Sequence, residues 1–253
     1  MSTLQGTLAA EERLRWLTAR LDDTGSVAIA EAATALGVSE MTIRRDLTEL
    51  EERGTARRVR GGAQAIGPRT FAERRGSMAR AKARIAAKLA PLVPALGAVA
   101  FDASSTVMRL ANALGQARDL VVLTNGPDTF DALQGQPGVA PLLTGGRLEP
   151  RTGSLVGPLA CRATGQLALQ RLFASAAAVD PGSGGLEATL DEAEVKRSMA
   201  IVAEHVVLAA DSSKLGRRAV AVGLDWDLVD VLVTELDPVD ERLDRYRDLV
   251  DIL

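Results

Sequence analysis

Two sets of residues in this chain have the types and spacing to do chemistry. The first is cationic. Arg44 and Arg45 stand side by side, and Arg57, Arg58 and Arg60 follow a little later, ending in Gly61-Gly62. From Arg53 to Arg60 there are four arginines and no acid. A guanidinium fork suits a guanine edge or a phosphate, and the sequence does not choose between them. Thr42 is the expected base or phosphate contact just before the first arginine pair, and Ser39 precedes it. The second set is made of hydroxyls, glycines and lysines: Asp102-Ala103-Ser104-Ser105-Thr106, Thr124-Asn125-Gly126, Thr144-Gly145-Gly146-Arg147 and Asp211-Ser212-Ser213-Lys214, with Lys196 apart from them. Hydroxyls and free backbone N–H groups at a helix start form an anion cradle. Lys214 and Lys196 can neutralise a phosphate, and Asp211 can accept from sugar hydroxyls.

Each has a blander reading. An Arg-Arg-Asp on a helix is ordinarily a solvated, salt-bridged face. A serine at a helix start is ordinarily only a cap, a glycine after a strand only turns the chain, and a helical lysine such as Lys196 is ordinarily solvated. The sharper readings gain from the elements around these residues.

The arginine set sits on a helix-turn-helix pattern. Leu14, Leu17 and Leu21 form one apolar stripe, and Ile29, Ala32, Ala33 and Leu36 a second, which Gly37-Val38 breaks. Ser39 can cap the next helix. On that helix Ile43, Leu47 and Leu50 share the inward face, leaving Thr42, Arg44, Arg45 and Glu49 outward or sideways. Helix, glycine turn and helix, then a basic strand or turn, suit a DNA major groove with the basic piece on the flanking backbone.

The hydroxyl set sits on alternating strands and helices. Residues 1–10 read as a disordered lead, 11–63 as the DNA-binding domain, 64–77 (with Gly67-Pro68) as a linker, and 78–253 as an α/β domain. In the last, Lys82, Ile85, Ala86 and Leu89 mark an amphipathic helix. Apolar runs over 98–102, 120–124, 139–144, 174–180, 206–211 and 231–235 read as extended, and 105–114, 127–133, 158–172, 191–204 and 238–249 as helices. Continuous apolar strands between helices imply a parallel sheet covered on both faces, whose ligands bind at the strands' carboxyl ends.

The bulk numbers agree. A chain of 253 residues, 47% hydrophobic and 25% charged, holds two domains with a sizeable core of Ala, Leu and Val, since aromatics are only 3%. A net charge of −3 argues against coating nucleic acid without specificity, whereas a sequence-specific regulator needs only a local basic patch. One cysteine, Cys161, excludes an intrachain disulfide and fits a reducing cytoplasm. With one histidine, His205, and no cysteine pair, no metal site is expected, and neither is a cofactor. No signal peptide is expected, because the N-terminus is polar and acidic by Glu11-Glu12, and no membrane span, because the longest apolar run, 89–101, is broken by Pro91 and Pro94.

Val27 to Asp46 (VAIAEAATALGVSEMTIRRD), with Leu47, Leu50-Glu51, Gly54 and Arg58 to Ala63 (RVRGGA), resembles the DNA-binding domain of DeoR-family bacterial transcriptional regulators. Asp102 to Thr106, Thr124-Asn125, Gly145-Gly146, Glu192 to Met199 and Asp211 to Gly216 resemble the effector-sensing domain of the same family, so the resemblance covers nearly the whole chain. It implies a winged helix-turn-helix, with Ser39, Thr42, Arg44, Arg45, Arg57, Arg58, Arg60, Gly61 and Gly62 toward double-stranded operator DNA. A Rossmann-like sensor domain, similar in fold to ribose-5-phosphate isomerase, is expected to follow. A phosphorylated sugar or sugar-like effector is then expected on Asp102, Ser104, Ser105, Thr106, Thr124, Asn125, Gly145, Gly146, Arg147, Lys196, Asp211, Ser213 and Lys214. The family usually has Gly or Ser where Ala103 stands, and the run Asp180-Pro181-Gly182-Ser183-Gly184-Gly185 departs from its pattern near the same pocket. The expectation is a cytoplasmic homo-oligomer, dimer or tetramer, that represses a carbohydrate operon. Its rivals are a sugar-phosphate isomerase carrying a DNA-binding domain and a sequence-tolerant chromosome-organising protein.

Overall fold

The computed structural model describes residues 2–53, 55–65, 70–115 and 117–253, with the side chains of residues 2–9, 22, 23 and 65 left aside. Gly54 and the Gly67-Pro68 break lie outside the described residues. The chain divides into two compact units, residues 1–74 and 75–253.

The first unit opens with helix α1 (Ser2–Thr24), strand β1 (Ser26–Ala28), helix α2 (Ile29–Leu36) and helix α3 (Glu40–Glu52), followed by the hairpin β2 (Ala56–Val59) and β3 (Gly62–Ala65). The three strands pair antiparallel in the order β1-β3-β2. The three apolar stripes meet in one core of Leu14, Leu17, Leu21, Val27, Ile29, Ala32, Ala33, Ile43, Leu47, Leu50, Ala56 and Ala63. Gly37 ends α2 in the left-handed region at φ 64°, and the Val38 N–H reaches back to the Ala33 carbonyl at 3.1 Å. A side chain resists that conformation, which is why glycine stops the helix here.

Two expectations for this unit change. The lead expected to be disordered over 1–10 enters α1, whose residues Leu8 to Leu17 are strong helix formers without a proline. The linker expected over 64–77 contains the end of β3 and helix α4 (Phe71–Gly76). The cause is a reciprocal cap that the spacing Thr70-x-x-Glu73 encodes. The Thr70 N–H donates to Glu73 Oε2 at 2.6 Å, and the Glu73 N–H donates to Thr70 Oγ1 at 3.3 Å.

The second unit is built on a seven-stranded sheet. Helix α5 (Ala79–Leu89) leads to β4 (Leu96–Phe101), α6 (Ser105–Asn112), β5 (Asp119–Thr124), α7 (Pro127–Leu133) and β6 (Val139–Leu143). A small hairpin follows, β7 (Arg147–Glu149) with β8 (Ser154–Val156), then α8 (Pro158–Thr164) and β9 (Leu169–Ser175). Strands β10 (Ala178–Asp180) and β11 (Gly184–Glu187) precede α9 (Leu190–Ile201) and β12 (Ala203–Ala209). The chain ends with β13 (Ala221–Leu224), β14 (Val231–Val233), a 3₁₀ segment (Glu241–Tyr246) and β15 (Asp251–Ile252). The large sheet runs β15-β14-β12-β9-β4-β5-β6 with every pair parallel. Strands β10, β11 and β13 form a separate antiparallel sheet.

Side chains alternate across the large sheet. Ala100, Leu172, Ala174 and Leu208 pack with Val195 and Met199 of α9, whereas Val99, Phe101, Phe173 and Val207 pack with Ile85, Leu89, Val107 and Leu110 of α5 and α6. Phe101 and Phe173 meet edge to face at 5.4 Å. Both faces are buried, hence the unbroken apolar runs.

Here too some expectations change. The helix expected over 158–172 stops at Thr164, and Leu169–Ser175 is a central strand. A short apolar run after Gly165 fits either element, and pairing with β4 and β12 decides it. The extended run expected over 174–180 belongs to two sheets. The helix expected over 238–249 is only a 3₁₀ segment, held at Asp240 by its cap to the Arg242 N–H.

Candidate functional site

In the first unit, α3 carries the expected reading face. The Ser39 hydroxyl accepts from the Thr42 N–H at 3.2 Å and shares a hydrogen bond with Thr42 Oγ1 at 2.9 Å. Ser39, Arg44 and Arg45 are exposed and Thr42 half-buried. Arg44 pairs with Glu40 at 3.2 Å. Asp46 is not a solvated member of the face: it is 2% exposed. Arg13 of α1 grips it through two bonds, Nε to Oδ2 at 2.7 Å and Nη2 to Oδ1 at 3.1 Å. That fork fixes α3 against α1 and turns Arg44 and Arg45 outward.

Arg57, Arg58 and Arg60 are exposed on the β2–β3 hairpin. Glu51 of α3 anchors this wing by accepting from the Arg58 N–H at 2.8 Å, and Arg58 Nη1 donates to Thr48 at 3.2 Å. Gly61 makes the turn at φ 86°. Gly62 is buried, and a Cβ there would stand 2.0 Å from the Val27 carbonyl oxygen, so its place is in strand packing. Met41, which the arginine motif does not include, is the most exposed large apolar residue among the described residues of this unit, at 72%.

In the second unit the strand order reverses direction between β4 and β9, and the crevice at such a switch is where open α/β sheets bind ligands. The chain crowds its polar groups there. Asp102, just past β4, accepts from the Ser104 N–H at 3.0 Å and from the Ser175 N–H at 2.8 Å. Lys196 on α9 lies 3.1 Å from Asp102 Oδ2 and also bonds Glu187 of β11 and the Ser175 carbonyl. Burial works against the Lys196 ammonium, but Glu187 and Asp102 outweigh it and hold the pKa above its ordinary value. Burial pushes the Glu187 carboxyl up. Lys196 therefore stays charged, with its three donors turned to protein groups rather than outward as a second phosphate ligand.

Around this triad lie the loops. Ser104 caps α6 by accepting from the Val107 N–H at 3.2 Å. Ser105 accepts from Lys82 Nζ at 3.1 Å. Thr106 Oγ1 and Asn125 Oδ1 are buried and have no hydrogen-bond partner among the described residues. Asn125 Nδ2 donates to the Leu155 carbonyl at 3.1 Å, and Thr124 Oγ1 accepts from the Gly126 N–H at 3.1 Å. A Cβ on Gly126 would come within 2.8 Å of Ala103 Cα, so glycine at 126 makes room for the methyl of Ala103. The Thr144 N–H donates to the Thr124 carbonyl at 3.0 Å, bringing Gly145 and Gly146 alongside. Lys214 Nζ donates to Ser175 Oγ at 2.8 Å, while Asp211 caps its own turn through Ser213.

The four expected loops thus converge, with two exceptions in role. Arg147 is exposed and paired with Asp191 and Glu149, and Asp211 and Ser213 bond each other. The sequence reading missed Lys82, Ser175 and Glu187. Lys82 left a signal, a lysine inside the apolar stripe of α5, where it is 2% exposed. Ser175 left none, since only strand pairing brings it to Asp102. Among the described residues no cluster of His, Cys, Asp or Glu is placed to hold a metal ion, and no helix is long and apolar enough to cross a membrane.

Comparisons with known proteins follow the same division. The family described as DeoR-like helix-turn-helix domain matches residues 13–69, and the DeoR C terminal sensor domain matches residues 77–236. The HTH-type transcriptional regulator GlpR of Haloferax volcanii is 32% identical over 88% of this chain and 89% of its own. The transcriptional repressor AccR of Agrobacterium fabrum is 30% identical over 90% of each chain. The glycerol-3-phosphate regulon repressor of Escherichia coli is 29% identical over 85% of this chain and 86% of its own. Ribose 5-phosphate isomerase A of Methanocaldococcus jannaschii overlaps 53% of this chain and 52% of its own, with a TM-score of 0.37 and 12% identity, a likeness too slight to assign any function. On the two matched domains and these full-length relatives, the chain belongs to the DeoR family of helix-turn-helix transcriptional regulators.

Proposed function

We propose that this protein is a repressor that binds operator DNA through α3 and the β2–β3 wing, and that a phosphorylated sugar-like metabolite, bound at the switch between β4 and β9, controls that binding. The observation that carries the effector reading is the start of α6. Its first turn offers backbone N–H groups and the buried Thr106 hydroxyl, which has no partner among the described residues, with Lys82 on Ser105 and Lys214 on Ser175 as bordering cations. Asn125 Oδ1, buried and without a partner among the described residues, is the acceptor for a ligand hydroxyl. Asp102, Glu187 and Lys196 hold the loops in place beneath the ligand. The name of the Escherichia coli relative, a glycerol-3-phosphate regulon repressor, points to the same ligand class.

In this reading the protein is a cytoplasmic homo-oligomer, and a dimer sets two copies of α3 one DNA turn apart. The effector acts by favouring one of two arrangements that differ in DNA affinity, a coupling of about 1–3 kcal/mol. Fluorescence anisotropy at fixed salt tests both halves. DNA from upstream of the protein's own gene should bind roughly 10³-fold tighter than random duplex. Glycerol 3-phosphate or a sugar phosphate should change that affinity while the matching unphosphorylated polyol or sugar does not. Equal affinity for all DNA would overturn the first half, and turnover of a sugar phosphate without any change in DNA binding the second.

A further inference from the structure

The outward face of α3 holds a combination that the arginine motif does not explain. Ile43, Asp46, Leu47 and Leu50 point inward, leaving Glu40, Met41, Arg44 and Arg45 in solvent. Glu40 and Arg44 pair with each other, and Ser39 and Thr42 share the cap. The Arg45 side chain has no hydrogen bond or ion pair among the described residues. Met41, 72% exposed, stands one turn before it, and residues four apart share a helix face. A long, flexible apolar side chain is thus held in water at the first turn, beside an uncommitted guanidinium.

We propose that Met41 and Arg45 are the base-reading pair of this helix, Met41 against the 5-methyl group of a thymine and Arg45 on the O6 and N7 of a guanine. This rests on the reading that α3 enters the major groove. The first turns of a recognition helix meet base edges there. The thymine methyl is the apolar feature those edges present, and the guanine edge offers two acceptors to one arginine fork. Four helical residues advance about 6 Å and one base pair about 3.4 Å, so the thymine and guanine lie one or two base pairs apart. Thr42, committed to the cap, and Arg44, paired with Glu40, are left to the phosphates.

The test uses the full-length protein and a duplex enriched from a random library by binding to it. Each thymine is replaced in turn by deoxyuridine, which removes only the methyl group. Wild type should lose about fourfold in affinity at one thymine per half-site, the worth of one buried methyl. Met41→Ala should bind the thymine and uracil duplexes equally. Arg45→Ala should lose the preference for guanine one or two pairs away. Alanine at an exposed helical site preserves the fold. Indifference of wild type to every replacement would overturn the pair, as would an undiminished methyl effect in Met41→Ala. If no duplex is enriched, groove entry by α3 fails and the pair falls with it.

Discussion

Lys196 is the residue on which the sensor site is built, and its surroundings make it a structural cation. It is 8% exposed and bonded to Glu187, Asp102 and the Ser175 carbonyl. Removing one partner of a buried ion pair leaves charge without compensation. Lys196→Met is therefore expected to lower the unfolding free energy by about 3–5 kcal/mol, as read by urea denaturation. The pKa of Lys196 is raised above its ordinary 10.5, so its contribution is complete below that value and is lost as pH rises through the folded value. Wild type should lose stability above pH 10.5 in a component that Lys196→Met lacks. Equal alkaline profiles for the two proteins would place the stabilising charge elsewhere.

Among the elements, α3 is anchored twice, by Arg13 on Asp46 and by Glu51 on the backbone of the wing. The anchors differ in burial and should differ in effect. Asp46→Ala removes the buried carboxylate that Arg13 grips and is expected to cost about 3 kcal/mol of stability. Glu51 is exposed, so Glu51→Ala should leave stability within about 0.5 kcal/mol while loosening the wing and weakening DNA binding. Parallel denaturation and anisotropy titrations separate the two. A Glu51→Ala protein with wild-type DNA affinity would remove the wing's anchor from the binding account. Elements are also where this sequence is least legible. The stripes of α1, α2 and α3 were legible because three separate periodicities all point inward. Strand β9 was not, since Leu167 to Phe173 fits a buried helix as well as a buried strand. Strands β11 and β13 are short and rich in glycine and alanine, and they take shape only by pairing in one antiparallel sheet with β10.

For the whole molecule, charge is distributed rather than summed. The chain carries −3 overall, yet Arg57, Arg58 and Arg60 project from one hairpin. If these contact phosphates, log K should fall with log salt in proportion to the contacts made, and Arg57→Ala or Arg60→Ala should reduce that slope by about 1. An unchanged slope in both variants would take the wing off the DNA backbone. Ligand linkage is expected to act on the second unit: a bound sugar phosphate at about 100 times its Kd should add roughly 2.7 kcal/mol to that unit's stability. Lys82→Met and Lys214→Ala should reduce this gain in a thermal-shift titration.

Local order was decided by the sequence alone. Apolar periodicity, the Ser39 cap and the Gly37 stop specify the helix-turn-helix, because each acts within a few residues of itself. Alternation of buried strands with helices specifies a covered parallel sheet, and the loops at the strand ends follow from it. Tertiary structure decided which of the polar residues face a ligand and which hold the others still. Asp102 and Lys196 read as ligand groups along the chain, but β4, β9, β11 and α9 bring Ser175 and Glu187 onto them, and a buried charge must be matched by its neighbours before it can serve anything else. Contacts between distant segments set that match, and no spacing along one segment records it.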